Sequence, residues 1–426
     1  MFKTLANAWK IPELRKKLMF TLIILLLYRV CAVIPVPFVD SAAMAQSLEF
    51  QRLFSDSILG LFDTMSGSAF SQATILALGI QPYINASIII QLLTVAIPAL
   101  ERMAKEGGEE GKKKIDRITR FTTVGLGLLL GFAYWTMINS YGIMQKDVNS
   151  VVSAIIVILT FTAGATLVMW LGEQITANGI GNGISMILFA NIIAGLPGMF
   201  NRLSTAMGWW SAIVYVVLLV LVVFVVFIND AERRIPIQYA KRVVGRKVYG
   251  GQSTNLPIKV AMSGVMPVIF AQSIASIPAT ICAFMGIDAK SGSWWFDNLW
   301  SPNSWAYAAA YFLLIFFFSW FYSTIQYDPV EIGNNLKKNG GFIPGFRPGK
   351  PTAEFIKKVI NKILVFGALY LSVVALLPII SGNLVPSVQN LAIGGTSIII
   401  VVGVALETVK ALEAQMLMRH YKGFLD

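Results

Sequence analysis

The apolar residues of this 426-residue chain fall in long unbroken runs, neither confined to one helical face nor alternating as in a strand. A helix needs roughly 20 apolar residues to cross the hydrocarbon core of a bilayer. Runs of that size predict ten transmembrane helices: Leu18 to Val36, Thr74 to Pro98, Ile118 to Ser140, Val151 to Leu171, Ile184 to Phe200, Ser211 to Ile228, Ile258 to Phe284, Trp305 to Ile325, Val359 to Ile380 and Ala392 to Val409. The connection after the first span is unusual. It contains Ile58-Leu59-Gly60-Leu61-Phe62-Asp63-Thr64-Met65-Ser66-Gly67, which is apolar but too short and too rich in Gly and Ser to cross. A re-entrant half-helix in a protein-lined cavity fits it, and so does an ordinary external helix.

Composition agrees with a membrane protein: 56% of residues are hydrophobic, 13% are charged, and mean hydropathy is +0.68. Yet Lys plus Arg number 34 against 22 Asp plus Glu, a net charge of +12. Those positive charges are segregated: twenty-six lie on one side of the spans and four on the other, with Arg29, Arg120, Lys259 and Lys362 within spans or at their ends. The positive-inside rule then places both termini in the cytoplasm. Ten spans divide into two sets of five, and an odd number per set gives the sets opposite orientation, the arithmetic of an inverted repeat. No residue-level similarity between the halves accompanies it. The expected organisation is a cytoplasmic tail at 1–17, a first half at 18–200, an external linker at 201–210, a second half at 211–409 and a cytoplasmic tail at 410–426. Lys16 and Lys17 ahead of an apolar run, with Ala43-Met44-Ala45 beyond it, also resemble a secretory signal. That run is long for a signal and ends at Pro35 and Pro37, which favours a first span.

Two connections on the positive side, 230–257 and 326–358, are long. The first interleaves Arg233, Arg234, Lys241, Arg242, Arg246 and Lys247 with Ile235, Ile237, Tyr239, Val243, Val244, Val248 and Tyr249 around Gly245, which predicts a short β-hairpin. The second carries Lys337-Lys338 and then Gly340-Gly341-Phe342-Ile343-Pro344-Gly345-Phe346-Arg347-Pro348-Gly349-Lys350-Pro351, where Gly and Pro predict an extended, projecting loop without helix or sheet. These charges fit retention of topology and attraction to anionic lipid. They fit equally a docking surface for a large anionic partner such as ribosomal RNA or an acidic protein face.

Chemistry is sparse at membrane depth. The single His, His420, lies in the C-terminal tail and every Asp lies outside the spans, which excludes a Ser/His or paired-Asp intramembrane hydrolase. Glu407 stands three residues before Lys410, a spacing that lets them pair. Gly179-Ile180-Gly181-Asn182-Gly183 has no strand before it and reads as a tight turn, and Gly349-Lys350 lacks the rest of a P-loop. Cys31 and Cys282 read as small apolar fillers. No cofactor is expected, no enzyme activity either, and any energy source must come from a partner.

Several motifs converge on one family. Ala77-Leu78-Gly79-Ile80-Gln81-Pro82-Tyr83-Ile84-Asn85-Ala86-Ser87-Ile88-Ile89-Ile90-Gln91-Leu92-Leu93 with Lys105-Glu106-Gly107 resembles the second helix of the SecY family, central subunits of the bacterial protein-translocation channel. Gly172-Glu173-Gln174-Ile175-Thr176, Gly179 to Ser185, Tyr239-Ala240-Lys241-Arg242, Phe346-Arg347-Pro348-Gly349 and Gly394-Gly395-Thr396-Ser397 are similar to the same family.

The resemblance implies an all-α polytopic membrane protein whose pore carries unfolded polypeptide across the cytoplasmic membrane and releases hydrophobic segments sideways. By motif, its aliphatic pore ring falls on Ile80, Ile84, Ile184, Leu188, Ile269 and Ile400. Such a ring dewets and blocks ions, yet parts around a chain because it offers no fixed hydrogen bonds. The plug helix falls at about 58–71, including Leu61, Phe62, Asp63, Thr64, Met65, Ser66 and Gly67, and its small residues are expected to limit its grip. A lateral gate pairs Ser87, Gln91 and Thr94 with Gln272, Ser273 and Ser276, plus Thr122 or Thr123. Partner docking falls on Lys241, Arg242, Arg246, Lys247, Lys337, Lys338, Arg347 and Lys350. The implied partners are the ribosome, the motor ATPase SecA, SecE-type and SecG-type subunits, signal-sequence-bearing polypeptides and membrane lipid. An inverted-repeat secondary transporter is the alternative, and the lack of ionisable residues at depth weighs against it.

Overall fold

The computed structural model describes residues 2–40, 43–44, 47, 50, 59–144, 149–239, 242–244, 247–249, 253–262, 264–284, 304–384 and 395–422. The chain is an all-α polytopic membrane protein carrying a small β appendage. Its helices are α1 (Phe2–Lys10), α2 (Pro12–Cys31), α3 (Leu59–Ser66), α4 (Gln81–Ala96), α5 (Pro98–Lys105), α6 (Gly108–Ser140), α7 (Ser150–Asn178), α8 (Gly183–Met207), α9 (Ser211–Asp230), α10 (Met266–Phe284), α11 (Trp305–Gln326), α12 (Pro329–Lys338), α13 (Lys350–Leu384) and α14 (Gly395–Lys422). Among the described residues six helices are long and apolar enough to span a membrane, and a seventh if α4 and α5 are one broken span. The α4–α5 break bends the path by 106°. Its cause is local: Pro98 follows Ile97, and the residue before a proline is driven out of the helical region, here to φ −108°, ψ 112°. The run from Leu18 is a helix too, but it starts at Pro12 and takes in Arg15, Lys16 and Lys17.

Contacts divide the chain into two compact units. The first comprises Met1–Ser211, Gln272–Ala308 and Pro378–Asp426. Within it α6 packs along α7 through small residues: a Cβ on Gly127 would meet Thr162 Cγ2 at 3.2 Å, and one on Gly131 would meet the Ile158 carbonyl at 3.3 Å. Gly127 and Gly131 are spaced as the small-xxx-small pattern that lets membrane helices approach closely. Ala8, Leu14, Ile180 and Leu412 form a second cluster that joins α1 and α2 to α14, with Thr4 Oγ1 donating to Glu413 Oε1 at 3.1 Å.

The expected span Thr74 to Pro98 begins as a helix only at Gln81. Ser68, Ala73 and Gly79 take φ of 67°, 43° and 52°, which a right-handed helix cannot contain. The segment is instead tied to the end of the first span by Ile75 N donating to Ile34 O (2.9 Å) and Val36 N to Ala73 O (3.2 Å). It is also buried against α6 and α7, where Phe70 stacks on Tyr134 at 4.5 Å and Tyr134 Oη donates to the Phe70 carbonyl. Tertiary partners thus replace helical bonds for this backbone.

The second unit comprises Ala212–Ala271 and Ala309–Leu377. Strand β1 (Glu232–Tyr239) pairs antiparallel with β4 (Ser253–Lys259) and with β5 (Gly341–Phe342), in the order β4-β1-β5. The strands β2 (Arg242–Val244) and β3 (Lys247–Tyr249) pair antiparallel as the sequence predicts, Arg242 opposite Tyr249 and Val244 opposite Lys247. Ile235 and Ile237 alternate inward on β1 and join Ile258, Leu336, Ile343, Ile356 and Ile360 in one core. The second long connection is therefore more structured than its composition suggests. Asp328 Oδ1 accepts from Val330 N (2.8 Å) and caps α12, while Gly341 lies in the sheet. Glycine fits there because a Cβ would meet Tyr239 Cε1 at 3.0 Å and Ile237 Cγ2 at 3.2 Å.

Candidate functional site

In the first unit the eight-residue helix α3 packs on α8. Its end is a Schellman turn: Ser68 N donates to Asp63 O (2.8 Å), Gly67 N to Thr64 O (3.2 Å), and Gly67 supplies φ +68°. Asp63 Oδ1 accepts from Ser71 N at 2.7 Å, and Ser66 Oγ accepts from Phe70 N at 3.0 Å. The carbonyls that this turn leaves over are met from outside. Asn191 on α8, 1% exposed, donates through Nδ2 to Met65 O (2.7 Å) and to Tyr28 Oη of α2 (2.8 Å). Arg29 donates to Gly67 O (3.5 Å) as well as to Ala190 O (2.9 Å) and Asn191 O (3.3 Å). Ser66 abuts the start of α4, where a Cβ on Gly79 would lie 3.7 Å from Ser66 Cβ. The small residues of this segment thus do not loosen it, because the grip is on backbone rather than side chain. The side chains of Leu61 and Phe62 lie outside the described residues, though their backbone is helical.

The six residues that the resemblance assigns to a pore ring occupy helix starts. Ile80 is the N-cap of α4 and Ile84 lies in its first turn; Ile184 and Leu188 share a face of α8; Ile269 lies at the start of α10 and Ile400 near that of α14. Five are fully buried, between 0% and 3% exposed, and Ile184 is half-buried. Beside Ile80, in the first unit, opens an apolar cavity of about 380 Å³ bounded by Met65 and Ser66 of α3, Ile88 and Leu92 of α4, Leu126 of α6 and Ile277 of α10.

A family model described as SecY matches residues 74–409. The chain belongs to the SecY family. It is 45% identical to the protein translocase subunit SecY of Streptomyces scabiei over the whole of both chains. It is equally identical to that of Corynebacterium glutamicum, covering 98% of this chain and 99% of the relative. Its fold is similar to a solved structure described as a protein conducting channel, with a TM-score of 0.66 at 18% identity, covering 94% of this chain and 92% of the other. It is also similar to Sec61 in a canine ribosome–channel complex, at a TM-score of 0.61 and 17% identity, covering 94% and 92%. As a SecY-family protein the chain is a protein-conducting channel and not a catalyst.

Of the gate residues implied by the SecY resemblance, Ser273 and Ser276 line the cavity, whereas Ser87, Gln91, Thr94, Thr122 and Gln272 do not. Helical phase explains α4: Gln81, Asn85, Ile88 and Leu92 share the cavity-facing stripe, and the stripe of Ser87, Gln91 and Thr94 is offset by one residue, about 100°. Thr94 Oγ1 instead donates to Gln91 O (2.7 Å), Thr122 Oγ1 to Ile118 O (2.9 Å) and Thr123 Oγ1 to Thr119 O (2.7 Å). Gln81 and Asn85 were missed, although both lie within the very motif that carries the resemblance. Buried Gln81 Nε2, Ser273 Oγ and Gln272 Oε1 have no hydrogen-bond partner among the described residues.

Of the residues that the resemblance assigns to docking, the described ones all belong to the second unit. Lys337 and Lys338 end α12, Arg347 stands exposed between β5 and α13, and Lys350 is exposed at the first position of α13. Phe346 packs against Phe355 with ring centroids 4.3 Å apart and planes tilted by 31°, and Thr352 Oγ1 donates to Arg347 O (2.8 Å), so Arg347 projects from an anchored turn. Arg242 and Lys247 sit on β2 and β3; Lys241 and Arg246 lie outside the described residues.

Proposed function

We propose that this chain moves unfolded polypeptides across the bacterial cytoplasmic membrane and releases hydrophobic segments laterally into it, with α3 as plug and Ile80, Ile84, Ile184, Leu188 and Ile400 as constriction. Ile269 joins that ring on motif alone. The observation that carries the reading is the seat of α3: it ends against Gly79 and, through Met65 and Ser66, lines with Ile80 an apolar cavity that is walled by α4, α6 and α10. A stopper there blocks ions at rest, and an apolar wall accepts a signal segment without desolvating charge. Ten apolar runs divide into two inverted halves of five, and the segregation of positive charge puts both termini in the cytoplasm.

The β appendage and its Lys and Arg form the docking face for the ribosome and the motor ATPase SecA, which supply the energy. A ribosome-bound Sec61 structure of similar fold supports the first. SecE-type and SecG-type subunits complete the assembly. Reconstituted with its subunits, the channel should transport an unfolded precursor when motor and ATP are added. Changing Arg347 to Glu should cut that transport about tenfold or more, as charge reversal at a docking contact does, while leaving insertion intact. Transport by the variant at the parent rate sinks the docking assignment. Photo-crosslinkers at Gln91, Gln272, Leu92 and Ser273 should capture a signal segment in transit. The cavity favours the last two, and capture at none of the four removes the gate.

A further inference from the structure

We propose that Asn191 and Arg29 form a latch that holds the plug shut by its backbone, and that the strength of this latch sets how readily the resting channel opens. The inference rests on reading α3 as the plug.

Each latch side chain has two sets of bonds. Asn191 Nδ2 donates once to the scaffold, at Tyr28 Oη (2.8 Å), and once to α3, at Met65 O (2.7 Å). Arg29 donates to the α8 carbonyls of Ala190 (2.9 Å) and Asn191 (3.3 Å), and to Gly67 O (3.5 Å) at the end of α3. When α3 leaves, the scaffold bonds remain. The socket therefore stays built and the plug can return to it without reordering the socket. The groups held are the carbonyls at a helix C-terminus, where partial negative charge favours a guanidinium.

Two consequences follow from holding backbone. Substitutions in the side chains of α3 leave the latch bonds unchanged, whereas Gly67 is fixed by geometry. A Cβ there would lie 2.6 Å from Arg29 Nη1 and 3.1 Å from Asn191 Oδ1, at a φ of +68°. The latch is also incomplete, because Asn191 Oδ1 is buried without a partner among the described residues. An unpaired buried acceptor weakens the closed state, which suits a contact that must break.

The test is ion conductance of the resting SecY-family complex in planar bilayers, for the parent, a deletion of residues 60–71, Asn191→Leu and Gly67→Ala. Membrane hydrogen bonds average about 0.6 kcal/mol, and of the two made by Asn191 Nδ2 only the one to Met65 O is broken when α3 leaves, so Asn191→Leu should raise resting conductance about threefold. Gly67→Ala alters only the plug side and should raise it too. The double variant should add less than the product of the two, since both changes release one contact. Parent-level conductance in Asn191→Leu and Gly67→Ala, with a leak in the deletion, overturns the latch and leaves the plug standing. A deletion that does not leak overturns the plug itself.

Discussion

Replacing Gly164 with valine should abolish accumulation of the folded channel. A Cβ on Gly164 of α7 would lie 1.9 Å from the Ile75 carbonyl, so the clash is with backbone and not with a side chain that can swing away. Neither partner is free to yield. Ile75 is pinned by its own N–H to Ile34 O (2.9 Å), and α7 is fixed on both sides of the glycine by Phe161 and Ala165, 0% and 2% exposed. Overpacking a core that can adjust costs about 1–3 kcal/mol, and this site belongs at or beyond the upper end. Movement of Ile75 would also drag the turn that leads to Ile80. The control is Gly125→Val on α6, where nothing lies within 4 Å of the added Cβ. Membrane-inserted protein and its thermal midpoint in detergent are the measurements. A Gly164→Val chain as abundant and stable as the Gly125→Val chain would contradict the packing described.

Exchanging Ile84 and Ile400 together for Asn should turn the sealed channel into an ion leak. Both are buried, 3% and 1% exposed, and burying such a side chain is worth about 1.5–3 kcal/mol of transfer energy that excludes water. Two carboxamides at the proposed constriction remove that penalty and supply hydrogen bonds to water, so resting conductance should rise about tenfold or more. Ile187→Val provides the contrast: Ile187 is also fully buried on α8, but its Cδ1 approaches Gly172 of α7, at 3.5 Å from the Cβ position there. It should leave conductance unchanged. An inserted Ile84→Asn, Ile400→Asn channel that stays sealed would remove these residues from the ring.

Much of the fold was legible because membrane helices announce themselves by length and apolarity alone. The hairpin about Gly245 was legible for a similar local reason, β-branched and basic residues flanking a turn. The second long connection was misread because Gly341 was taken as a breaker, whereas its lack of a side chain is what lets Tyr239 and Ile237 close over it. The start of α4 was misread because Thr74 to Ile80 is as apolar as a helix, and only its packing on Tyr134, Phe161 and Gly164 shows that it is not one. At the cavity the helical phase was not legible: Gln81 and Asn85 line it, about 100° around α4 from Ser87 and Gln91.

The sequence by itself determined that the chain lives in a membrane, which side its positive charges favour, that its depth carries no catalytic pair, and which family its motifs resemble. These are sums over local composition, and neighbours in the chain decide them. Only the tertiary structure decided what holds α3. Tyr28, Arg29, Met65, Gly67 and Asn191 come from three segments, and no periodicity links them. In the sequence Arg29 is one charge in an apolar run and Asn191 one polar residue in another. Their meaning lies in which carbonyls they reach, and a hydrogen bond is fixed by position to within a few tenths of an ångström, which only packing supplies.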